Sequence, residues 1–165
     1  MITVHSSAQQ TIAIQRVFNL PVDIVWKAWT DPESFKKWWG PETYTCPFCR
    51  MNVEVGGKYL NCMRSADGKN MWGTGVYKEV IPQRKLVYTD SFADSNGNIV
   101  SSTFYNMPEM PPEVLVTVEF EEVAGKTTMI LQHNGLPAEI ADECIKGWQS
   151  SFDKLENNMK TINNP

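Results

Sequence analysis

Three cysteines and one histidine are the residues of this sequence whose types and spacing best suit chemistry. Cys46 and Cys49 form a C-x-x-C motif with Pro47 inside it, a spacing that is also found in redox-active dithiols. That chemistry requires the first thiol at a helix N-terminus, where the thiolate is stabilised, whereas this motif lies among predicted strands. Together with Cys62 and His133, the two cysteines could supply a tetrahedral zinc site, but Cys62 belongs to no second C-x-x-C motif. We therefore expect structural thiols with no metal or cofactor, and the redox and zinc roles stay open as alternatives.

His133 is the leading candidate for acid–base chemistry. It ends the last predicted strand on the same face as Met129 and Leu131, and if that face looks into a cavity the imidazole can exchange a proton or hydrogen-bond a ligand. A structural histidine with satisfied hydrogen bonds is the alternative. The carboxylates of Glu54 and Asp90 are predicted in strands, but nothing in the sequence pairs them. No Ser-His-Asp order, phosphate-binding glycine loop or metalloprotease motif is present, so no catalytic residue is assigned and a non-enzymatic role is favoured.

Composition and charge exclude several classes of partner. The chain has 165 residues, is 42% hydrophobic and 21% charged, and carries a net charge of −4. An acidic chain without a run of Lys or Arg lacks the basic footprint that nucleic acid requires, and no stretch approaches the ~20 apolar residues of a membrane span. The N-terminus lacks the pattern of a signal peptide. We expect a cytoplasmic protein with reduced thiols that binds neither nucleic acid nor membrane.

The elements that position these residues form one predicted domain, residues 11–162, after a flexible N-terminal tail of residues 1–10. Residues 11–19 alternate apolar and polar side chains, as in a half-buried strand. Residues 43–134 have the composition of about six further strands separated by turn signals. Gly73 and Gly75 lie inside one of these strands and indicate a bulge or a bend.

Two short helices and one long loop interrupt the strands. Pro21 suits the first turn of one helix, and Asp31 is the expected N-cap of a second helix that carries Trp38 and Trp39. Residues 93–112 are rich in Asn, Gly, Ser and Pro, which excludes a central strand. A loop of about 20 residues in a compact domain is often functional. Its Met- and Pro-rich part, residues 107–112, is predicted to be either a lid over a cavity or a simple insertion.

The last element is a long amphipathic helix, predicted over residues 137–159. Its apolar residues recur at steps of three or four, which places them on one face: Ile140, Cys144, Trp148, Phe152, Leu155 and Met159. A run of antiparallel strands followed by a covering helix is typical of the α+β class, and an antiparallel sheet buries one face under such a helix.

This order of elements resembles the helix-grip fold shared by the birch-pollen allergen, START lipid-transfer domains and polyketide cyclases. Within that superfamily the chain is similar to bacterial proteins related to the activator of the 90-kDa heat-shock chaperone ATPase. The resemblance covers about residues 11–160, and it rests on the order and spacing of several stretches: residues 18–29, 31–41, 55–59, 73–77, 118–120 before Thr127 and Thr128, and Gly147 and Trp148 with Phe152, Leu155 and Glu156. It implies a curved antiparallel sheet of about six to seven strands that grips the long helix, with an elongated cavity between them.

We expect this cavity to bind a small hydrophobic or aromatic molecule. Trp148 is the expected wall on the helix, and Gly147 beside it is tolerated in a helix interior if a ligand or the sheet needs the room. The full set of predicted ligand-binding residues is Trp72, Tyr88, Phe120, Leu131, His133, Trp148 and Phe152. No metal-binding residue is predicted.

Two other functions stay open, because members of this superfamily differ in activity. The chain could act in the stress response as a surface partner of a 90-kDa heat-shock chaperone. It could also be a cyclase- or hydrolase-type enzyme that uses the same pocket, with His133 as its polar group. An exposed edge strand would allow a homodimer, so the sequence is compatible with a monomer or a homodimer.

Overall fold

A computed structural model describes the backbone of residues 9–163 and the side chains of residues 10–159. The strands are β1 (Gln9–Phe18), β2 (Thr45–Met51), β3 (Lys58–Arg64), β4 (Asn70–Ile81), β5 (Lys85–Ala93), β6 (Val114–Val123) and β7 (Lys126–Pro137). The α-helices are α1 (Val22–Thr30), α2 (Pro32–Phe35) and α3 (Ala141–Asn163), and short 3-10 helices occupy Ser102–Tyr105 and Ala138–Ile140. None of the described helices is both long and apolar enough to cross a membrane.

The strands form one antiparallel sheet in the order β1-β7-β6-β5-β4-β3-β2. The α+β class and the helix-grip arrangement predicted from the sequence are confirmed by this sheet and by the long helix that follows it. β1 begins at Gln9, two residues earlier than predicted, because Gln9 and Gln10 pair with Pro137 and Leu136 at the end of β7. The rest of the predicted tail, residues 1–8, lies outside the described residues.

The described part of the sheet has three register shifts. None of them lies at Gly73 or Gly75, the two glycines that indicated a bulge. The shift between β4 and β5 falls between Tyr77 and Glu79, where an extra residue on one strand increases the local twist. Gly73 and Gly75 belong instead to regular pairs with Asn61 and Tyr59 of β3. Gly75 is required where the Tyr59 side chain crosses β4 at the candidate site, which is described below.

The two short helices form as predicted, but the second is shorter. The Asp31 carboxylate accepts hydrogen bonds from the backbone N and the side-chain Oγ of Ser34 at 3.0 and 2.9 Å. Asp31 is therefore the N-cap of α2, as predicted. The α-helix then ends at Phe35, and Trp38 and Trp39 lie in the turns that follow. Trp38 is fully buried and its Nε1 donates to the Ala28 carbonyl at 2.8 Å, which fixes this turn against α1.

The long helix begins four residues later than predicted. β7 continues to Pro137, since Leu136 and Pro137 pair with Gln10 and Gln9 at the start of β1. One turn of 3-10 helix then leads into α3. Arg16 of β1 holds the far end of the helix: its guanidinium donates to Asp153 at 2.6 Å and to Glu156 at 3.1 Å. The polar residue that interrupts the apolar face of β1 is therefore an anchor for α3.

An aromatic cluster fills most of the space between α3 and the sheet. Trp148 stacks on Phe152, with ring centroids 5.6 Å apart, and on Trp29 of α1 at 6.1 Å. Leu155 and Met159, further along the same stripe, are also fully buried. Because large aromatic side chains bury much apolar surface, this half of the helix covers a solid core.

Candidate functional site

The cysteines do not form a reactive or metal-binding site in the described part of the chain. All four are free thiols, and burial raises the pKa of Cys46 to about 11 and that of Cys49 to about 12. A protonated thiol is a poor nucleophile, which argues against redox catalysis. His133 on β7 and Cys62 on β3 have three strands between them, and no cluster of three His, Cys, Asp or Glu side chains is found among the described residues. The zinc set considered from the sequence is therefore not brought together.

A cavity of about 110 Å³ lies between the sheet, the first turn of α3 and the long loop. Most of its walls are apolar or aromatic, with four polar side chains among them; the lining residues are Trp39, Asn61, Met63, Met71, Trp72, Gly73, Asp90, Ser91, Phe92, Met110, Pro111, Val114, His133, Leu136 and Cys144. A second void of about 10 Å³ adjoins it and shares Trp39 and Asn61. The space is thus smaller than the elongated cavity expected, and of the helix stripe only Cys144 lines it.

The predicted ligand-binding residues fall into three groups. Trp72 and His133 line the cavity, and Tyr88 lines the smaller void. Phe120 packs on Trp26, with ring centroids 5.6 Å apart, beside an open groove elsewhere on the sheet. The other three predicted residues, Leu131, Trp148 and Phe152, are buried and line neither space. Ligand contact by any of the seven residues stays a prediction.

His133 is held as a neutral hydrogen-bond donor. The Trp148 Nε1–H donates to His133 Nδ1 at 3.1 Å, and this bond places the imidazole proton on Nε2. The residue is 7% exposed, and burial lowers its pKa to about 4. Among the described residues no hydrogen-bond partner is found for its buried Nε2, and the same is true of Trp39 Nε1. Two N–H groups of cavity-lining residues are therefore unpaired, and His133 is a weak base near neutral pH.

Asp90 is the functional candidate that the sequence did not assign. Its Oδ1 accepts a hydrogen bond from the Tyr59 hydroxyl at 2.7 Å, and the same hydroxyl lies 2.9 Å from the Thr89 carbonyl oxygen. Burial raises the pKa of Asp90 to about 6, although the Tyr59 bond and a backbone bond from Ser91 oppose the change. Asp90 is half-buried by its accessible surface, and it lines the cavity. Glu54, the other carboxylate expected in a strand, lies in the turn after β2.

Gly75 makes the contact between Tyr59 and Asp90 possible. Tyr59 on β3 lies opposite Gly75 on β4, and its ring passes over the glycine to reach β5. A Cβ atom at Gly75 would overlap the Thr89 carbonyl oxygen and would lie 2.7 Å from Tyr59 Cε2. The sequence signal for this site was the position of Asp90 itself, because a carboxylate sharing a face with Leu86 and Tyr88 is directed at the core.

The proline-rich loop forms one wall of the cavity. Met110 and Pro111 line it, and Ser102, which is 3% exposed, holds this part of the loop in place. The Ser102 hydroxyl donates to the Pro108 carbonyl at 2.8 Å and accepts from the Met110 N–H at 3.0 Å. Of the two interpretations of residues 107–112, this placement favours the lid.

We expect Ser102→Ala to loosen this wall without unfolding the domain. Losing both side-chain bonds leaves the Met110 N–H without its partner, so the variant should be less stable by about 1–3 kcal/mol. Hydrogen exchange should accelerate in residues 107–112 and little elsewhere. Ser101→Ala is the control, because Ser101 is exposed and bonds only within its own turn. Equal exchange in both variants would contradict the role of Ser102.

Gly147 does not make room for a ligand. A Cβ atom there would lie 3.7 Å from Pro41 Cγ, an ordinary contact, and nothing closer is met. We expect Gly147→Ala to raise the free energy of unfolding by about 0.5–1 kcal/mol, because alanine has the higher helix propensity. Chemical denaturation measures this gain. A loss of stability would mean that the helix needs the glycine for close packing.

Comparison with known proteins gives one family. A family model described as activator of Hsp90 ATPase homolog 1-like protein matches residues 19–160. No curated protein matches the chain significantly.

Solved structures show the same fold over nearly the whole chain. A protein from Arthrobacter aurescens has a TM-score of 0.78 at 23% identity, over 94% of this chain and 91% of that chain. A protein from Nitrosomonas europaea has a TM-score of 0.76 at 21% identity, over 94% and 97% of the two chains. A third, named AHSA1 and from Silicibacter pomeroyi, has a TM-score of 0.74 at 20% identity, over 93% and 99%. At these identities the likeness carries the fold alone to this chain.

Proposed function

We propose that this chain, which belongs to the activator of Hsp90 ATPase homolog 1-like family, binds a small, largely apolar molecule in the cavity beneath α3 and the proline-rich loop. The family is the one that the sequence resembles. Its name does not specify a ligand, so the proposal rests on the cavity of this chain.

The proposal rests on one observation: two buried N–H groups of cavity-lining residues have no acceptor among the described residues. These are His133 Nε2–H and Trp39 Nε1–H. Both nitrogens have almost no accessible surface, so the surrounding side chains have to move before a bound molecule can reach them. A buried donor without a partner costs about 1–3 kcal/mol, and a molecule that offers an acceptor to either N–H therefore gains more than it would elsewhere. The aromatic and aliphatic walls supply the apolar contact that small-molecule sites generally use.

The size of the cavity sets a condition on the ligand. A volume of about 110 Å³ is below the ~150 Å³ of an engineered cavity that admits benzene. Three methionines, Met63, Met71 and Met110, line the cavity, and methionine side chains change rotamer at low cost. We expect these three side chains to move when a molecule of one aromatic ring enters.

The test compares two matched glycine substitutions. A Cβ atom at Gly73 would enter the cavity wall 3.3 Å from Asn61 Oδ1, whereas Gly147 lies outside the cavity. Calorimetric titration with single-ring aromatic compounds should show binding to the wild type and to Gly147→Ala, with at least about fivefold weaker binding to Gly73→Ala because the methyl group fills ligand space. Absence of binding to the wild type by every compound would overturn the proposal, as would equal affinity for the two variants.

A role as partner of a 90-kDa heat-shock chaperone is the second candidate function. It is favoured by the description of the matching family, which refers to an activator of that chaperone's ATPase. Pull-down with the chaperone of the same cell, followed by an ATPase assay, tests it. A stable complex and a raised ATPase rate are expected on this hypothesis, and they should be unaffected by Gly73→Ala. No complex at micromolar concentrations would count against it.

A further inference from the structure

The residues that line the cavity include both hydrogen-bond donors and an acceptor. The two unpaired N–H groups belong to residues that surround Trp148: the rings of His133 and Trp39 lie 5.9 and 5.4 Å from the Trp148 ring. The acceptor, Asp90, lies on β5, and β6 separates it from His133 on β7. A Cβ atom at Gly73 would be 3.7 Å from Asp90 Oδ1, which places the carboxylate beside β4. The donors and the acceptor therefore belong to different parts of the cavity lining.

The cavity contains a carboxylate without a cation to balance it. Among the described residues that line it, none is Lys or Arg, and His133 is neutral because burial lowers its pKa to about 4. The hydrogen bond from Tyr59 is the side-chain bond that Asp90 receives. An anionic ligand would place a second negative charge close to this carboxylate, among side chains where water screens charge less than in bulk solution. The walls thus exclude anions.

We infer that the ligand is a small uncharged molecule with a flat apolar body. It has a hydrogen-bond donor at the end facing Asp90 and a carbonyl-type acceptor at the end facing His133 and Trp39. Carboxylates of the same shape are rejected. This inference rests on the proposed function and adds the chemical class of the ligand to it. An acceptor would satisfy a buried N–H of His133 or Trp39, and a donor would satisfy the lone pairs of Asp90 that Tyr59 leaves free. The aromatic rings of Trp39, Trp72 and Phe92 suit a flat body.

Five para-substituted benzenes of similar shape separate these features. We expect para-aminoacetophenone, which has both polar ends, to bind most tightly. Para-toluidine has only the donor, para-methylacetophenone only the acceptor, and para-xylene neither; each lost end should weaken binding about fivefold to tenfold. Para-aminobenzoate has the shape of the ketone but is an anion, and it should bind at least about 100-fold more weakly. Calorimetric titration of the full chain at about pH 7.5, where Asp90 with its pKa of about 6 is ionised, measures all five.

Three substitutions assign the preferences to residues. In Asp90→Asn, which keeps the shape but removes the charge, para-aminobenzoate should bind at least about tenfold more tightly, while para-aminoacetophenone changes less than about threefold. Trp39→Phe and His133→Phe each remove one N–H, and at least one of them should reduce the affinity for para-aminoacetophenone to that for para-toluidine. Trp39→Phe leaves no other described group unpaired, so it is the variant expected to keep the fold, with some loss of the packing that the larger ring makes on Phe35 and Trp148. Gly147→Ala should keep the wild-type order of affinities.

The possible outcomes separate a failure of the inferred ligand class from a failure of the proposed binding function. If none of the five compounds binds the wild type, the proposed function and the inference are both overturned. If para-xylene and para-aminobenzoate bind as tightly as para-aminoacetophenone, the cavity binds ligands but is not selective for polarity, and the inference alone is wrong. Rejection of para-aminobenzoate that persists in Asp90→Asn would likewise overturn the role of the carboxylate.

Discussion

Gly75→Ala is expected to destabilise the domain by more than about 3 kcal/mol, because the new methyl group has no space. Its Cβ atom would overlap the Thr89 carbonyl oxygen and would press on the Tyr59 ring at 2.7 Å. Relief requires either a shift of β4 away from β5 or rotation of Tyr59 out of the core, and the second movement breaks the Tyr59–Asp90 bond. Urea denaturation measures the loss.

The matched control lies two residues earlier on the same face of β4. A Cβ atom at Gly73 meets only the side-chain oxygen of Asn61 at 3.3 Å and other atoms at 3.7 Å, so Gly73→Ala should cost far less than Gly75→Ala. The comparison isolates the crossing of Tyr59, because strand, face and substitution are the same. Similar losses in both variants would show that strand propensity, and not the crossing, determines the effect.

The second large effect is a pH dependence of stability to which Asp90 and His133 contribute with opposite signs. In the wild type the two contributions largely cancel. Burial raises the pKa of Asp90 from 3.8 to about 6, so the folded state binds more protons than the unfolded state between these values, and stability falls as pH rises. Burial lowers the pKa of His133 from 6.5 to about 4. The folded state then binds fewer protons, and stability rises with pH over nearly the same range. Each group alone contributes about 3 kcal/mol at ~1.4 kcal/mol per pKa unit.

Substituting one of the two groups should make the pH dependence that the other contributes measurable. Relative to wild type, Asp90→Asn should gain stability by about 3 kcal/mol between pH ~4 and ~6.5, and His133→Gln should lose a similar amount as pH rises over the same window. Glutamine keeps an acceptor for the Trp148 N–H. The other titratable groups that face Asp90 are Tyr59, Tyr88 and Cys144, and burial raises the pKa of each, so they do not titrate in this window.

The measurement is the free energy of unfolding of the three proteins at about six pH values across this window. Exposed carboxylates titrate alike in all three proteins, so the differences between the curves isolate the buried pair. Parallel curves for wild type and Asp90→Asn would mean that Asp90 titrates normally in the folded protein.

The proline-rich loop shows how far the sequence could predict the site. Its composition excluded a central strand, and the structure agrees, since β5 ends at Ala93 and β6 begins at Val114. Composition could not decide between a lid and an insertion, because that depends on where Ser102 hydrogen-bonds and where Met110 and Pro111 lie. Trp72 and His133 line the cavity, whereas Trp148 and Phe152 pack in the solid part of the core, and ligand contact by any of them stays a prediction.

The sequence by itself determined the α+β class of this protein, since the periodicity of the long helix, the turn signals and the Asp31 cap are local properties of the chain, and the resemblance of several stretches to known proteins identified the helix-grip family. Only the tertiary structure decided the character of the cavity. The bonds from Tyr59 to Asp90 and from Trp148 to His133 join residues 31 and 15 positions apart, and they depend on strand register, on the bare backbone at Gly75 and on burial. Burial also sets the pKa values of Asp90 and His133, because the cost of charge depends on the surroundings that the whole fold creates.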